Sequence, residues 1–239
     1  MSVPSVKLAP GMESKGFTRR DSLLRLGGLA IAATGAGGWA AADDAEGSAA
    51  LSQGLVSCVL TPELTEGPFY VSGEKLRRDV TEGKPGVALT LKLKVLHAST
   101  CRPIRNATVE IWHCDALGAY SGAVASNPDT NFLRGAQKTN AKGVATFETI
   151  YPGWYQGRAV HIHVKVHVRG RVVHTGQFFF PATVTNAVYK RSPYRKHGTR
   201  PDTTNAQDFI FRNGGRKSML SLEKVRSGYI GRIAMGVHA

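Results

Sequence analysis

The sequence predicts an all-β protein, a β-sandwich of mixed or antiparallel strands with long loops and little helix. Apolar and polar residues alternate along several short segments, as they do in strands with one buried face. Turn-forming residues separate these segments. Apolar residues make up 42% and charged residues 20% of the 239 positions, which is enough apolar material for a core. This composition excludes disordered and collagen-like proteins, and the length suggests one domain with an appendage.

The clearest strand covers residues 87–95, where apolar side chains occupy every second position. Residues 109–112 repeat the alternation after a turn around Arg102 and Pro103. Three more strands are expected at 144–150, 159–168 and 171–180. Arg169 and Gly170 join the last two as a hairpin turn. We expect a long irregular loop over residues 182–208 and one short helix over residues 216–227.

The first 42 residues have the pattern of an export signal rather than of a folded element. Arg19 and Arg20 precede a stretch rich in Gly and Ala that ends in small residues, which is typical of a twin-arginine signal. An uncleaved anchor and an ordinary secretory signal are the alternatives. The apolar stretch is too short and glycine-rich to span a bilayer well, so we expect no stable membrane insertion after processing. Residues 43–54 are then a linker and residues 55–239 the folded domain, in a periplasmic or secreted protein.

The chain is strongly basic, with a formal net charge of +14 that falls only to +11 when residues 1–42 are removed. Such a charge indicates polyanions or acidic small molecules as partners. No nucleic-acid motif accompanies it, so no nucleic-acid partner is expected. Basic residues in the 182–208 segment either attract acidic or polyphenolic substrates or form a solvated surface; they are Lys190, Arg191, Arg195, Lys196 and Arg200.

Three cysteines are too few for a disulfide scaffold or a four-thiolate metal site. Cys58 and Cys101 are a candidate pair in an oxidising compartment, which would leave Cys114 free. The sequence leaves this pairing open.

Three segments carry residues that can bind a metal or take part in catalysis. His161 and His163 lie two apart on a predicted strand, so both project from one face, roughly 6.5–7 Å apart, and can reach one metal ion. The alternative is that they line a polar sheet face. Tyr120 lies in a glycine-punctuated segment after the 109–112 strand. Tyr155 follows a Pro-Gly turn that directs it toward the start of the histidine strand.

Together these segments resemble the intradiol ring-cleavage dioxygenases, ferric enzymes that open catechols between the two hydroxyls. The resemblance spans residues 56–212 and rests on residues 61–70, 112–120, 152–155 and 158–163, with Gln177 beyond them. It implies an Fe(III) cofactor, O2 and a catecholic small molecule as partners, and cis,cis-muconate-type products. The implied iron ligands are Tyr120, Tyr155, His161 and His163. Arg158 and Gln177 would flank the substrate, and Tyr155 would be the labile, catalytic ligand.

The chemistry of these residue types supports those roles. Trivalent iron is a hard acid that prefers anionic oxygen donors. A phenol ionises only near pH 10 in water, but a bound cation can remove the proton of a coordinating acidic group. Two phenolates and one hydroxide would neutralise Fe(III), while two neutral imidazoles fill the remaining positions. Arg158 would then stabilise the carbanion-like form of the substrate ring.

A rival hypothesis is a non-catalytic exported β-sandwich that binds aromatic polymers or a protein partner. It explains the fold and the charge but leaves the spacing of the tyrosines and histidines as coincidence. Only two residues separate Tyr155 from Arg158, fewer than in well-known soluble members of the family, so we expect an open space over the metal. The long helical segment through which catechol-type members dimerise has no room here. The oligomeric state stays open between a monomer and a homodimer.

Overall fold

The computed structural model describes residues 60–122 and 129–239. These residues belong to one compact unit, Asp44–Ala239. The export signal at 1–42 and the linker at 43–54 lie outside the described residues, so both stay predictions. Over 60–122 and 129–239, no helix is both long and apolar enough to cross a membrane.

Eight strands form two four-stranded sheets. The first sheet has the order β4-β1-β8-β7 and consists of β1 (Ala88–His97), β4 (Val144–Ile150), β7 (Ser221–Val225) and β8 (Gly228–Val237). The second has the order β3-β2-β5-β6 and consists of β2 (Thr108–Trp112), β3 (Arg134–Lys138), β5 (His161–Val168) and β6 (Arg171–Phe179). The β1–β8 pair is parallel and every other pair of neighbouring strands is antiparallel. The predicted all-β sandwich with mixed strands is therefore confirmed.

The core lies between the inner faces of the two sheets. Leu91 and Leu93 of β1 are fully buried in the same apolar cluster as Ile162 and Val164 of β5. Burial of each such side chain contributes about 1.5–3 kcal/mol. Because side chains alternate along a strand, the odd-numbered residues of β5 project from the other face of the second sheet. Residues 64–70 cover that face. His161 and His163 are therefore buried although they lie outside the main core.

The predicted strands are confirmed with small changes at their ends. The 144–150 strand has the predicted bounds, while β5 begins at His161 rather than at residue 159. Arg169 has φ 50° and Gly170 has φ 77°, and two successive positive φ angles are the geometry of a tight hairpin turn. The expected β5–β6 hairpin is therefore present.

Two predictions about the later part of the chain are wrong. Residues 182–208 are not one irregular loop, because they contain helix α1 (Ala182–Val188) and a short 3-10 helix at Tyr194–Lys196. Tyr194 is buried and its hydroxyl donates to the carbonyl of Tyr151 at 2.7 Å, which fixes this segment against the core.

Residues 216–227 do not form the expected helix. They run from a 3-10 turn at Gly215–Ser218 into β7, and the adjacent β8 was not predicted either. A second short helix, α2, spans Phe209–Arg212.

The cysteines occupy two kinds of environment. Cys101 is disulfide-bonded, whereas Cys114 is free and buried. Burial raises the pKa of the Cys114 thiol, so it stays protonated and behaves as an apolar side chain. Cys58, the candidate partner of Cys101, lies outside the described residues, so that pairing stays a prediction. The free Cys114 is what such a pairing would leave.

Candidate metal centre

Two histidines at the start of β5 direct ring nitrogens at each other. The Nε2 atoms of His161 and His163 are 3.1 Å apart, and both side chains are buried. The Nδ1 of His161 lies 2.6 Å from the carbonyl oxygen of Ala159. Because a carbonyl only accepts, Nδ1 carries the proton and the Nε2 of neutral His161 presents a lone pair. Trp112 stacks on the His163 ring with centroids 4.9 Å apart and holds its orientation.

Both predicted tyrosines meet this histidine pair. The hydroxyl of Tyr155 lies 3.1 Å from the Nε2 of His161. The Tyr120 ring centroid is 5.6 Å from that of Tyr155 and 6.3 Å from that of His163, and the Tyr120 hydroxyl interacts with Tyr155. Phe69 stacks on the Tyr120 ring at 4.1 Å. Tyr120 is thereby enclosed, while Tyr155 remains partly exposed.

The loops that carry the two tyrosines are in close backbone contact at two glycines. The amide of Gly153 donates to the carbonyl of Asp115 at 3.0 Å. A Cβ on Gly153 would lie 2.4 Å from that carbonyl oxygen, and a Cβ on Gly118 would lie 2.3 Å from the carbonyl oxygen of Trp154. Both distances are far below van der Waals contact. Glycine at these positions therefore sets how closely the tyrosine loops approach each other.

Burial keeps the four side chains uncharged in the protein alone. It lowers the pKa of His161 to about 3, with help from the charge of Arg158. Burial and the neighbouring His161 lower the pKa of His163 well below its usual value. Burial also raises the pKa of Tyr120 and of Tyr155, in the latter case against the opposing effect of Arg158. Loss of the phenol protons at neutral pH therefore needs a bound cation.

The donor set fits the Fe(III) that the family resemblance implies. A lone pair on the His161 Nε2 faces the second imidazole and a phenol oxygen, and the buried Nδ1 of His163 has no hydrogen-bond partner among the described residues. Within 60–122 and 129–239, no group of three or more His, Cys, Asp or Glu side chains is placed to hold a metal. Tyrosine oxygens would have to complete the set, and hard oxygen donors are what trivalent iron prefers.

A row of charged and polar groups lies beside Tyr155 and the histidines, and Gln177 is the cross-strand partner of His163. Arg158 donates through Nη2 to the Oε1 of Gln177 at 2.6 Å and approaches the Tyr155 hydroxyl through Nη1 at 3.4 Å. Gln177 in turn donates to the carbonyl of Thr65 at 2.8 Å. The structure thus brings together all six side chains that the sequence singles out.

Asp208 belongs to this row and was missed by the sequence analysis. Its buried Oδ2 accepts from the Nε of Arg158 at 2.9 Å and from the amide of Ala159 at 2.7 Å. Its Oδ1 accepts from the amides of Ile210 and Phe211, so it also caps α2. Burial raises the pKa of Asp208, but the amides and Arg158 outweigh it, and the net shift is downward. An Asp before an apolar run is a helix-start signal, which could have revealed the cap but not the contact with Arg158.

Comparison with known proteins agrees with this geometry. A family model described as Dioxygenase matches residues 65–183. A solved intradiol ring-cleavage dioxygenase from Tetranychus urticae is 34% identical, and the match covers 76% of this chain and 95% of that one with a TM-score of 0.72. The chain belongs to the intradiol ring-cleavage dioxygenases. The resemblance inferred from the sequence motifs is confirmed.

Two further proteins with dioxygenase in their names are also similar to this chain. The dioxygenase domain of a dioxygenase carbohydrate-binding protein fusion from Streptomyces sp. SirexAA-E is 28% identical, covers 76% of this chain and 99% of that one, and has a TM-score of 0.59. Catechol 1,2-dioxygenase 2 of Acinetobacter lwoffii is 34% identical over 117 residues, which are 47% of this chain and 40% of that protein. The chain thus aligns with less than half the length of this relative.

The exposed side of the site in this dioxygenase-family chain is shaped by Gln156 and Gly157, which lie in solvent between Tyr155 and Arg158. Beside Tyr155 lies a pocket of ≈ 370 Å³ whose walls include Trp154 and Asp202. The five basic residues singled out in the 182–208 segment are all exposed, and none of them lines this pocket. A steering role for them stays a prediction.

Proposed function

We propose that this chain is an iron-dependent intradiol dioxygenase that opens catechol-type rings between the two hydroxyls. Both atoms of O2 enter the product, a cis,cis-muconate-type diacid. The observation that carries the proposal is the convergence of Tyr120, Tyr155, His161 and His163 on one small volume with Arg158 alongside. The name of the Acinetobacter lwoffii relative, a catechol 1,2-dioxygenase, supports the substrate class.

These two tyrosines and two histidines would hold Fe(III) through their phenol oxygens and Nε2 atoms. When bound, the ferric ion supplies a Lewis acid and electron acceptor that makes the coordinated catechol ring reactive toward O2. The hydrogen bond from the Nδ1 of His161 to Ala159 fixes which ring nitrogen remains available.

Once a bound cation has removed its phenol proton, Tyr155 is the side chain suited to accept a substrate proton. It is partly exposed, and its hydroxyl already contacts both the Nε2 of His161 and the Nη1 of Arg158. When a catechol binds, the ionised Tyr155 oxygen takes a proton from one catechol hydroxyl and becomes a neutral phenol beside Arg158. Tyr120 is enclosed by Phe69 and stays in place.

Arg158 supplies positive charge beside the position where the ring gains negative charge. Gln177 and Asp208 hold its guanidinium on two sides, so little reorganisation is needed during the reaction. Loss of one such preorganised donor typically lowers turnover about 100- to 1000-fold.

Oxygen uptake by iron-loaded, processed protein tests the proposal. The substrates are catechol, protocatechuate, hydroxyquinol and larger lignin-like catechols, with product identification by mass. We expect one O2 consumed per ring opened and both oxygen atoms from labelled O2 in a diacid. No uptake on any of these substrates would overturn the proposal, as would products opened outside the diol.

We further infer that the protein is exported to the periplasm or beyond by the twin-arginine route. The support is Arg19–Arg20 and the Gly- and Ala-rich stretch that follows. Fractionation of cells that produce the full chain tests this. Replacing both arginines with lysine keeps the charge and should retain the protein in the cytoplasm, whereas export that persists would contradict the inference.

A further inference from the structure

A large cavity lies at the end of the sandwich away from the tyrosines. Its volume is ≈ 1230 Å³, and its walls come from the end of β1, residues 103–106, the β5–β6 turn and residues 237–239. Val168 in its wall and His163 in the metal centre both lie on β5, five residues apart, which corresponds to roughly 16 Å along a strand. The cavity is therefore separate from the metal centre.

The charge of this cavity is almost entirely positive. Arg105, Arg169 and Arg171 line it together with His97 and His238, and among residues 60–122 and 129–239 no Asp or Glu side chain does so. None of the three arginines forms an ion pair or hydrogen bond through its side chain with another described residue. Within the part of the chain that the structure describes, these three guanidinium groups are exposed and have no protein partner.

Arg169, at the cavity rim, has a strained backbone conformation. Arg169 has φ 50°, in the left-handed region that favours Gly or Asn and that long side chains rarely adopt. A hairpin turn of this geometry is normally built from Asn-Gly or Gly-Gly. The chain therefore places a charged side chain at a turn position where a smaller residue would be less strained.

The rest of the wall is aliphatic. Ile104, Val168, Val172 and Val173 line the cavity, and Val172 is 52% exposed. None of the described residues that line it is a Phe, Tyr or Trp. Aliphatic walls beneath guanidinium groups suit a ligand with apolar C–H faces and regularly placed anionic groups.

We propose that this cavity binds an acidic polysaccharide, an extended sugar chain that bears carboxylate or sulfate groups. The volume exceeds the roughly 300–1000 Å³ of ordinary small-molecule sites, which favours an extended ligand. The concave shape does not match a flat lipid surface, and the lack of aromatic side chains removes the stacking on which single-stranded nucleic acids depend. Guanidinium groups pair with carboxylate and sulfate through parallel hydrogen bonds.

Titration of the processed, iron-loaded protein with defined polymers at physiological salt tests the proposal. The probes are polygalacturonate for carboxylate, heparin for sulfate, neutral dextran, and single- and double-stranded DNA. The test variant combines Arg105→Gln, Arg169→Gln and Arg171→Gln. A matched control combines Arg212→Gln, Arg216→Gln and Arg226→Gln, which removes the same charge from exposed arginines outside the cavity.

We expect at least one acidic polysaccharide to bind, and dextran not to bind. The cavity variant should lose at least tenfold in affinity, while the control variant loses less than threefold. Val172→Asp, which adds a carboxylate to the wall, should weaken binding in the same direction. Equal losses in the two triple variants, tighter binding of DNA than of either polysaccharide, or no polysaccharide binding would overturn the proposal. Unchanged melting temperature and oxygen uptake establish that the variants are folded.

Discussion

The two tyrosines of the metal centre differ in burial. Tyr120 is enclosed beneath Phe69, whereas Tyr155 is partly exposed beside Arg158. We expect Tyr120→Phe to lower iron content strongly and Tyr155→Phe to keep more iron but lose at least about 100-fold in turnover. Tyr229→Phe in the other sheet is the control and should change neither quantity. Iron per chain and oxygen uptake measure the outcome, and full turnover by either site variant would contradict the assigned roles.

We expect Asp208 to act on the proposed reaction through Arg158, whose Nε donates to its carboxylate at 2.9 Å. Asp208→Asn keeps the shape of the side chain and an oxygen that can cap α2, but it removes the negative charge beside the guanidinium. We expect kcat to fall about 10- to 100-fold while iron content stays the same.

The free energy of unfolding should fall by about 1–3 kcal/mol in the same variant, because a buried charge-assisted hydrogen bond is lost. Asp79→Asn is the control, since its carboxylate accepts from the amide of Thr81 at an exposed position outside the loops that carry Tyr155 and Arg158. Equal kinetic effects of the two variants would show that Asp208 does not position Arg158.

The residues of the site differ in how far a sequence can reveal them. His161 and His163 lie two apart on one strand, so their spacing alone places them together. Asp208 comes from a helix start 50 positions after Arg158, and local sequence carries no information about that contact. Phe69 and Trp112 lie in the recognised motifs, but only the fold shows that they stack on the rings of Tyr120 and His163.

The strands also differ in how far the sequence predicts them. β1 alternates apolar and polar residues because one face is buried, and such strands were predicted. β8 contains three glycines and lies between two neighbours, and a Cβ on Gly231 would approach Leu91 to 3.1 Å. β3 buries Arg134, whose guanidinium is satisfied by Glu74 and backbone carbonyls. The sequences of β8 and β3 therefore lack the alternation of a strand with one apolar face. Contacts with other elements stabilise both strands, and the local sequence does not reveal those contacts.

The contact between the two tyrosine loops can be tested through a glycine. Gly118 has φ +88° and no space for a Cβ, whereas Gly83 has φ +73° and nothing within 4 Å. Gly83→Ala should therefore cost about 1 kcal/mol of unfolding free energy, from backbone strain alone. Gly118→Ala adds a clash with the backbone of Trp154 and should cost several kcal/mol and reduce iron content. Chemical denaturation and metal analysis give both quantities; equal costs would mean that the loops can separate freely.

Buried neutral histidines make the whole molecule sensitive to acid. Burial lowers the pKa of His113 to about 4, from an ordinary value of 6.5. The unfolded chain takes up this proton below pH 6.5 and the folded chain only near pH 4, so acid favours unfolding. His113 therefore contributes up to about 3 kcal/mol of stability above pH 6.5, and this is lost progressively as the pH falls to 4.

We expect the loss of stability of metal-free protein between pH 7 and pH 4.5 to be smaller in His113→Gln than in the wild type. His238→Gln, at an exposed position, is the control and should leave the pH dependence unchanged. The measurement is urea denaturation at both pH values. Identical pH dependence in His113→Gln and the wild type would show that His113 takes up its proton equally readily in the folded and the unfolded protein.

The parallel pairing of β1 with β8 has a consequence for biosynthesis. Ala88 lies opposite Gly228, 140 residues later, and β8 lies between β1 and β7 in the sheet. While β8 of a nascent chain has not yet left the ribosome, one edge of β1 is open and β7 lacks its neighbour. The first sheet can therefore be completed only after translation has passed β8. Until that moment the open edge of β1 is a site where a holdase chaperone can bind and where two unfinished chains can aggregate.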